Sequence, residues 1–572
     1  MSLLIFSLLV FFFFAALIGG LASKDAVTIL PKSVLVLDLG QHFKEQVQEN
    51  PLSIVSGDDE KDVPGLYDVI RLLQKAKTDK YISGIYIVCN GSPNGFAASE
   101  EIRNALQDFK KSGKFILAHG DVISQKAYYV ANTADKIYLS PQGFLEWFGF
   151  SVNYLFLKGT LEKLDIEAQI FYAGKYKSAT EIFRTDKMSP ENKLQTTVWL
   201  NDLYNNFLVK SAEARKIDTA TLHQLANDGK IQSAEDAMAN KLVDGLKYDD
   251  EVKNELKSKL GLGKYEKINF VSINTYRADG HYFKIKGEKI ALIYAEGDIV
   301  DGKDKQGTIS SGYYLNLIRK ARLDNTIKAI VFRVNSGGGS SLASDIIWRE
   351  LALAKKEKPV VVSFGDVAAS GGYYISCAAD SIFAMPTTIT GSIGVFGIIP
   401  NMQAFFKNKL GVTFDGIKTG PYADAGSTSR PLSDKEKEMI QNQVELTYSQ
   451  FKLRVADGRK KDTTYIDSIA QGRVWTGSRA KEIGLIDRIG GIDDAVRCAA
   501  GMAKLTEYRI REYPEPQNFL DKLFGKTSPM SFADKMRSEM GEENYNIYLE
   551  IKKVKEMSNS IQARLPFEFI IK

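Results

Sequence analysis

The chain of 572 residues carries one stretch of sequence twice. Residues 84–106 (GIYIVCNGSPNGFAASEEIRNAL) lie over residues 329–351 (AIVFRVNSGGGSSLASDIIWREL) without a gap, at a constant offset of 245. At the same offset Gly120–Tyr129 (GDVISQKAYY) lies over Gly365–Tyr374 (GDVAASGGYY), and at 246 Gly174–Ala179 (GKYKSA) lies over Gly420–Ala425 (GPYADA). The register persists further on. Phe207 matches Phe451, Arg215-Lys216 matches Arg459-Lys460, Asp228-Gly229-Lys230 matches Gln471-Gly472-Arg473, and Leu242-Val243-Asp244 matches Leu485-Ile486-Asp487. The offset drifts only to 243. Such a chain must fold as two related units, and its length already exceeds what one core supports.

Each copy repeats one rhythm. Val34–Leu39 and Ile290–Ala295 are nearly all apolar and read as opening strands. A second strand (Ile82–Cys89; Ile327–Val334) runs into a glycine-rich turn and a helix. A third (Phe115–His119; Val360–Phe364) runs into GDV and another helix, and a further apolar run follows (Lys136–Leu139; Ser381–Ala384). Continuous apolar strands alternating with helices predict an α/β fold of parallel βαβ units. The polar, aromatic stretch Thr275–Gly287 is the best boundary. The expected division is therefore 1–23, 24–280, 281–512 and a C-terminal extension over 513–572. The extension reads as helical over Asn544–Met557 and ends in the apolar run Leu565–Ile571.

Residues 3–22 are uncharged and almost wholly apolar, long enough for a transmembrane helix and without the basic leader of a cleavable signal peptide. No Lys or Arg precedes them, so charge bias cannot orient the segment. A start further upstream, with a short basic leader, would account for this. The net charge of +5 is small for the length and favours no nucleic-acid partner. Cys89, Cys377 and Cys498 are scattered and form no metal-binding spacing, so no metal or cofactor is expected. Cys89 and Cys377 read as buried hydrophobes. His119 is replaced by Phe364 in the other copy, which favours a core role.

The informative positions are those where the copies differ. The second copy has Ser370 where the first has Gln125, and the first has Lys177 where the second has Ala423. A serine hydroxyl needs a base to become a nucleophile, and a lysine serves as one only when burial keeps it neutral. A serine in one repeat and a lysine in the other is the pattern of a Ser–Lys hydrolase divided between duplicated units. Ser370 sits among small residues at the start of a helix, so the Gly371 N–H is a candidate oxyanion donor. The turn Asn335–Gly339 offers a second donor, Gly338, with Gly339 as its rival. Pro93 holds the Gly338 column in the first copy and has no N–H to give. Lys175 competes with Lys177, because strand alternation would put both on one face. Spacing does not choose between them.

These residues resemble the long, duplicated form of the bacterial signal peptide peptidase A family, membrane-anchored serine proteases. The resemblance rests on RVNSGGGSSLASD (333–345), GDVAASGGYYIS (365–376), TGSIGV (390–395), GKYKSATEIFR (174–184), MSPEN (188–192) and GRVWTG…GLID (472–487), and it runs to about residue 512. It implies Ser370 as nucleophile, Lys177 as general base and Ser392 as the residue that orients the lysine amine. It implies tandem crotonase/ClpP-like αβ-superhelix repeats behind a transmembrane anchor. It further implies a homotetramer on the outer face of the cytoplasmic membrane that degrades signal peptides. The family's turn usually reads NSPGG, whereas Gly337 stands here in place of the proline. The alternatives are a crotonase-type acyl-CoA hydratase or isomerase, which would rely on carboxylates, and a non-catalytic membrane scaffold.

Overall fold

The computed structural model describes residues 29–47, 62–280, 282–303, 307–515 and 561–565. The expected anchor over 3–22 and the helix over Asn544–Met557 lie outside the described residues. Among those described, no helix is long and apolar enough to cross a membrane. The described chain forms two compact units. One takes in residues up to Gly149 together with Asn206–Ile285; the other takes in Phe150–Asn205, Lys286–Glu515 and residues 561–565.

The first unit is built on one sheet. Its strands lie in the order Gly245–Leu246, Lys136–Leu145, Phe115–Ile123, Ile82–Val88, Ser33–Asp38, Phe270–Ser272, all parallel. The second unit repeats that order with Arg488–Ile489, Ser381–Ala384, Val360–Ala369, Ile327–Ser336, Glu288–Glu296 and Tyr508–Tyr513, again parallel. The duplication is thus visible in topology as well as in sequence. Parallel strands are covered on both faces, which is why they read as unbroken apolar runs. Ile290–Ala295 is buried throughout, as are Ile85, Ile87, Ile116 and Leu117.

Two details depart from the sequence reading. The change of unit falls between Ile285 and Lys286, inside the expected boundary stretch, but the first residues of that stretch belong to a helix of the first unit, Ile273–Ala278. Tyr276 is buried there and donates its hydroxyl to Asp79 at 2.8 Å. In addition, residues 150–205 come from the first repeat in sequence but pack with the second unit. The cause is a strand, Glu167–Ala173, that pairs antiparallel with Val395–Asn401 over seven residue pairs. It closes a second sheet in that unit, ordered Ile309–Ser310, Ile299–Val300, Gly338–Ser340, Gln562–Arg564, Val395–Asn401, Glu167–Ala173. Repeat and compact unit are therefore different divisions of this chain.

Cys89 and Cys377 are buried free thiols. His119 is buried, with Nε2 3.1 Å from the Lys247 carbonyl oxygen.

Candidate active site

Ser370 ends the long strand Val360–Ala369 and caps the short helix Gly371–Ser376. Its backbone is left-handed, with φ +54° and ψ −116°, a conformation that costs a non-glycine residue energy and persists only when the surroundings enforce it. They do so here: Ser370 N–H donates to the Gly391 carbonyl at 2.8 Å, and Tyr374 N–H donates to the Ser370 carbonyl at 2.8 Å. The neighbouring glycines are fixed by close approach. A Cβ on Gly372 would stand 2.6 Å from the Ser336 carbonyl oxygen, and one on Gly371 2.8 Å from Ser344 Oγ.

Lys177 reaches the same place from the other side of the unit. The strand Glu167–Ala173 ends one residue before Gly174, whose φ of +111° turns the chain inward. Tyr176 N–H then donates to the Gln471 carbonyl at 2.7 Å. The segment after the lysine is locked by residues of the ATEIFR and MSPEN motifs. The buried Glu181 carboxylate accepts from Ser189 Oγ at 2.6 Å and Asn192 Nδ2 at 2.9 Å. Gln195 Nε2 donates to the Tyr176 carbonyl and to Ser178 Oγ, both at 3.1 Å.

The lysine amine ends 2.8 Å from Ser370 Oγ, 3.0 Å from Ser392 Oγ and 3.2 Å from the Ser392 carbonyl oxygen. Lys177, Ser370 and Ser392 are each at most 1% exposed. Burial holds the Lys177 amine well below its ordinary value, because desolvation penalises the charged form. Lys175 has a different situation. It is exposed and pairs with Glu191 at 3.5 Å. Strand alternation does not apply to the two lysines, since residues 174–177 form a turn beyond the strand.

Of the glycines expected to donate to an oxyanion, Gly371 begins the helix beside Ser370. Gly338 has φ +100°, and a Cβ on it would meet the Ala563 carbonyl oxygen at 2.0 Å and Gly371 N at 2.7 Å. Its N–H, however, is engaged: it donates to Ser336 Oγ at 3.1 Å, and that hydroxyl donates to the Gly297 carbonyl at 2.6 Å. The rival, Gly339, lies directly opposite Ala563 in the second sheet.

Sequence reasoning passed over Gly472. It has φ +73°, and a Cβ there would lie 2.6–2.7 Å from Lys177 Cβ, Cα and N. Glycine occurs at this column in both copies, so it served as a register marker and its role behind the lysine was not legible. A cavity of about 530 Å³ also opens nearby in this unit. It is lined by Ile398, Ile399, Met439, Ile440 and Ile561, with Glu436 and Gln443 as polar members.

Comparison with known proteins identifies the family. The model of "Peptidase family S49" matches twice, over residues 108–263 and 352–506. "Protease 4" of Salmonella typhi is 40% identical over 80% of this chain and 75% of its own length. "Serine protease SPPA, chloroplastic" of Arabidopsis thaliana is 34% identical over 75% of this chain and 64% of its own. Among solved structures, a ClpP1 mutant from Listeria monocytogenes aligns with a TM-score of 0.24 and 16% identity, over 36% of this chain and 94% of that one. With both repeats matched and close relatives aligned over most of its length, the chain belongs to peptidase family S49, in the long duplicated form, and is a serine peptidase.

Proposed function

We propose that Ser370 and Lys177 form the catalytic dyad of this peptidase, and that Ser392 orients the lysine. The observation that carries the reading is the 2.8 Å approach of a buried lysine amine to a buried serine hydroxyl. A neutral amine has two N–H groups and one lone pair. The N–H groups are accommodated by the carbonyl and hydroxyl of Ser392, which leaves the lone pair for the Ser370 proton. Ser370 Oγ attacks the peptide carbonyl carbon, and its proton passes to Lys177 Nζ. The resulting ammonium returns that proton to the leaving amine nitrogen as the C–N bond breaks, giving an acyl-enzyme. Water then repeats the sequence, and the ester is hydrolysed. Gly371 N–H is one oxyanion donor. Because the Gly338 N–H is held by Ser336, Gly339 serves better as the second.

The substrates in this reading are apolar peptides, signal peptides left in a membrane among them. The isoleucine- and methionine-lined cavity supports apolar side chains. The apolar segment 3–22 would tether the chain to the cytoplasmic membrane with its catalytic units on the outer side. Self-assembly is supported by the repeat register. Glu167–Ala173 pairs with Val395–Asn401 within the chain. The corresponding stretches, 413–419 and 150–156, lie in no strand, and Phe414 and Ile417 are exposed. Pairing of 413–419 from one copy with 150–156 of the next would repeat that contact head to tail and close a ring, for which the family resemblance implies four subunits.

A fluorophosphonate probe and a peptide-ester substrate test the dyad. Ser370→Ala and Lys177→Ala should each abolish labelling and turnover, and Lys175→Ala should retain both. Turnover surviving in Ser370→Ala or Lys177→Ala would overturn it.

A further inference from the structure

The second sheet of this unit contains a strand from far along the chain. Gln562–Arg564 lies between Gly338–Ser340 and Val395–Asn401, antiparallel to both, with Gly339 opposite Ala563 and Phe396 opposite Gln562. Leu565 N–H donates to the Gly337 carbonyl at 2.7 Å, and Ser341 N–H donates to the Ile561 carbonyl at 3.1 Å. Hydrogen-bonded pairs alternate along an antiparallel ladder, so the residue pair between these two, Gly339 and Ala563, is also a bonded one. The Ala563 carbonyl is thereby aimed at the Gly339 amide. It is the same oxygen that a Cβ on Gly338 would meet at 2.0 Å and a Cβ on Gly371 at 2.9 Å. Ala563 is fully buried, and Arg564 forms an ion pair with Asp298. Ile561 lines the apolar cavity.

A backbone carbonyl held among Gly338, Gly339 and Gly371 is what a peptide must present to Ser370. A slot with a strand on each side recognises any extended peptide through its main chain, and side-chain pockets then add selectivity. We propose that this slot is the peptide-binding groove and that residues 561–565 occupy it as a competing strand, so that the chain restrains its own activity until the tail leaves. The inference rests on Ser370 and Lys177 being the catalytic pair. A tethered competitor removes a fraction of sites from use. Apparent KM rises by the inverse of the free fraction, while kcat, measured at saturation, is spared.

The test is steady-state kinetics on the full chain with a short peptide ester. Ala563→Glu puts a charge where there is no room and should evict the strand. Leu565→Pro removes the N–H given to Gly337 together with the buried leucine side chain beside it. Both should lower KM, Ala563→Glu by about tenfold, with kcat within about twofold of the parent. A capped IQARL peptide added to Ala563→Glu should inhibit competitively. Unchanged KM in both variants, or no inhibition by the peptide, overturns the proposal. Ser370→Ala, measured alongside, separates the two failures. If it is dead while the tail variants keep the parent KM, only the tail inference falls; if it still turns over, the dyad falls first.

Discussion

Ser370 and Gln125 occupy the same column of the two repeats, at the same strand end and helix start, and their surroundings have gone opposite ways. Ser370 has a strained backbone and a hydroxyl that meets an amine. At the first-repeat position the helix cap is Ser124, with an ordinary φ of −72°. Gln125 Oε1 accepts from the N–H groups of Phe148 and Gly149, and Nε2 donates to the Gly149 carbonyl. The strand register puts Trp147 in the column of Ser392. Trp147 is buried, donates to the Leu222 carbonyl at 2.9 Å and packs edge-on against Tyr128. Around Gln125 the first repeat has become an ordinary core, with that amide satisfied and space filled by an indole. The second keeps strain and positions where no side chain fits, and its compact unit takes in the first repeat's Lys177 as a buried amine. Stability and reactivity ask for different residues at the same points of one fold.

The two repeats should differ most at the glycine column. Gly472 and Gly229 both have positive φ, +73° and +55°. A methyl group on Gly472 would strike Lys177 Cβ at 2.6 Å and its backbone at 2.7 Å, whereas one on Gly229 would meet nothing within 4 Å. Gly472→Ala should move the lysine by a fraction of an ångström to an ångström and reduce kcat/KM by about 100-fold, since catalysis is that sensitive to misplacement. Gly229→Ala should cost about 1 kcal/mol of stability for its left-handed backbone and leave kcat/KM unchanged. Equal kcat/KM in the two variants would show that Gly472 does not position the base.

A smaller effect is expected from the lysine itself. Burial depresses the Lys177 pKa in the folded state. Between that value and the unfolded one, about 10.4, the unfolded chain holds a proton that the native chain has given up. The unfolded state thus binds more protons, and this lysine's contribution to stability rises with pH through that window. At neutral pH the lysine costs stability. Lys177→Met should therefore be inactive yet raise Tm at pH 7 by about 2 °C or more, and the gain should shrink as pH rises toward the unfolded value. Lys175→Met, at an exposed position, should leave Tm and activity unchanged. In the parent, kcat/KM should fall on the acid side as Lys177 takes up a proton. A Tm for Lys177→Met equal to or below the parent's would contradict a neutral buried amine.

Much of this was legible because duplication supplies its own control. The repeated rhythm of strands and helices, the Ser370 and Lys177 columns and the core role of His119 all follow from laying one copy over the other. What the overlay could not deliver were contacts between segments distant in sequence. Strand alternation left Lys175 and Lys177 equivalent, because nothing local marks the end of the strand at Ala173. The Gly338 amide looked open, because its capture by Ser336 Oγ depends on the shape of the turn. The migration of residues 150–205 into the second unit, and the strand at 562–564, both arise from pairings between remote segments. Periodicity reports which face of a strand is apolar and not which strand lies beside it.

Returning a serine to the first repeat should restore no activity. If the first repeat merely lacked a serine, Gln125→Ser in a Ser370→Ala background would restore some fluorophosphonate labelling. The structure says that more is missing. The serine would inherit a relaxed cap in place of the strained one. Trp147 fills the Ser392 column, and the Lys177 column holds the exposed Ala423. Pro93 takes an N–H from the turn. Groups that act as a unit are far from additive, so one restored member contributes nothing measurable. Labelling should stay at background in Ser370→Ala with Gln125→Ser, and also with Trp147→Ser added. Labelling above background in either would mean that the first repeat retains a latent site, and that the division between the copies is less complete than their side chains imply.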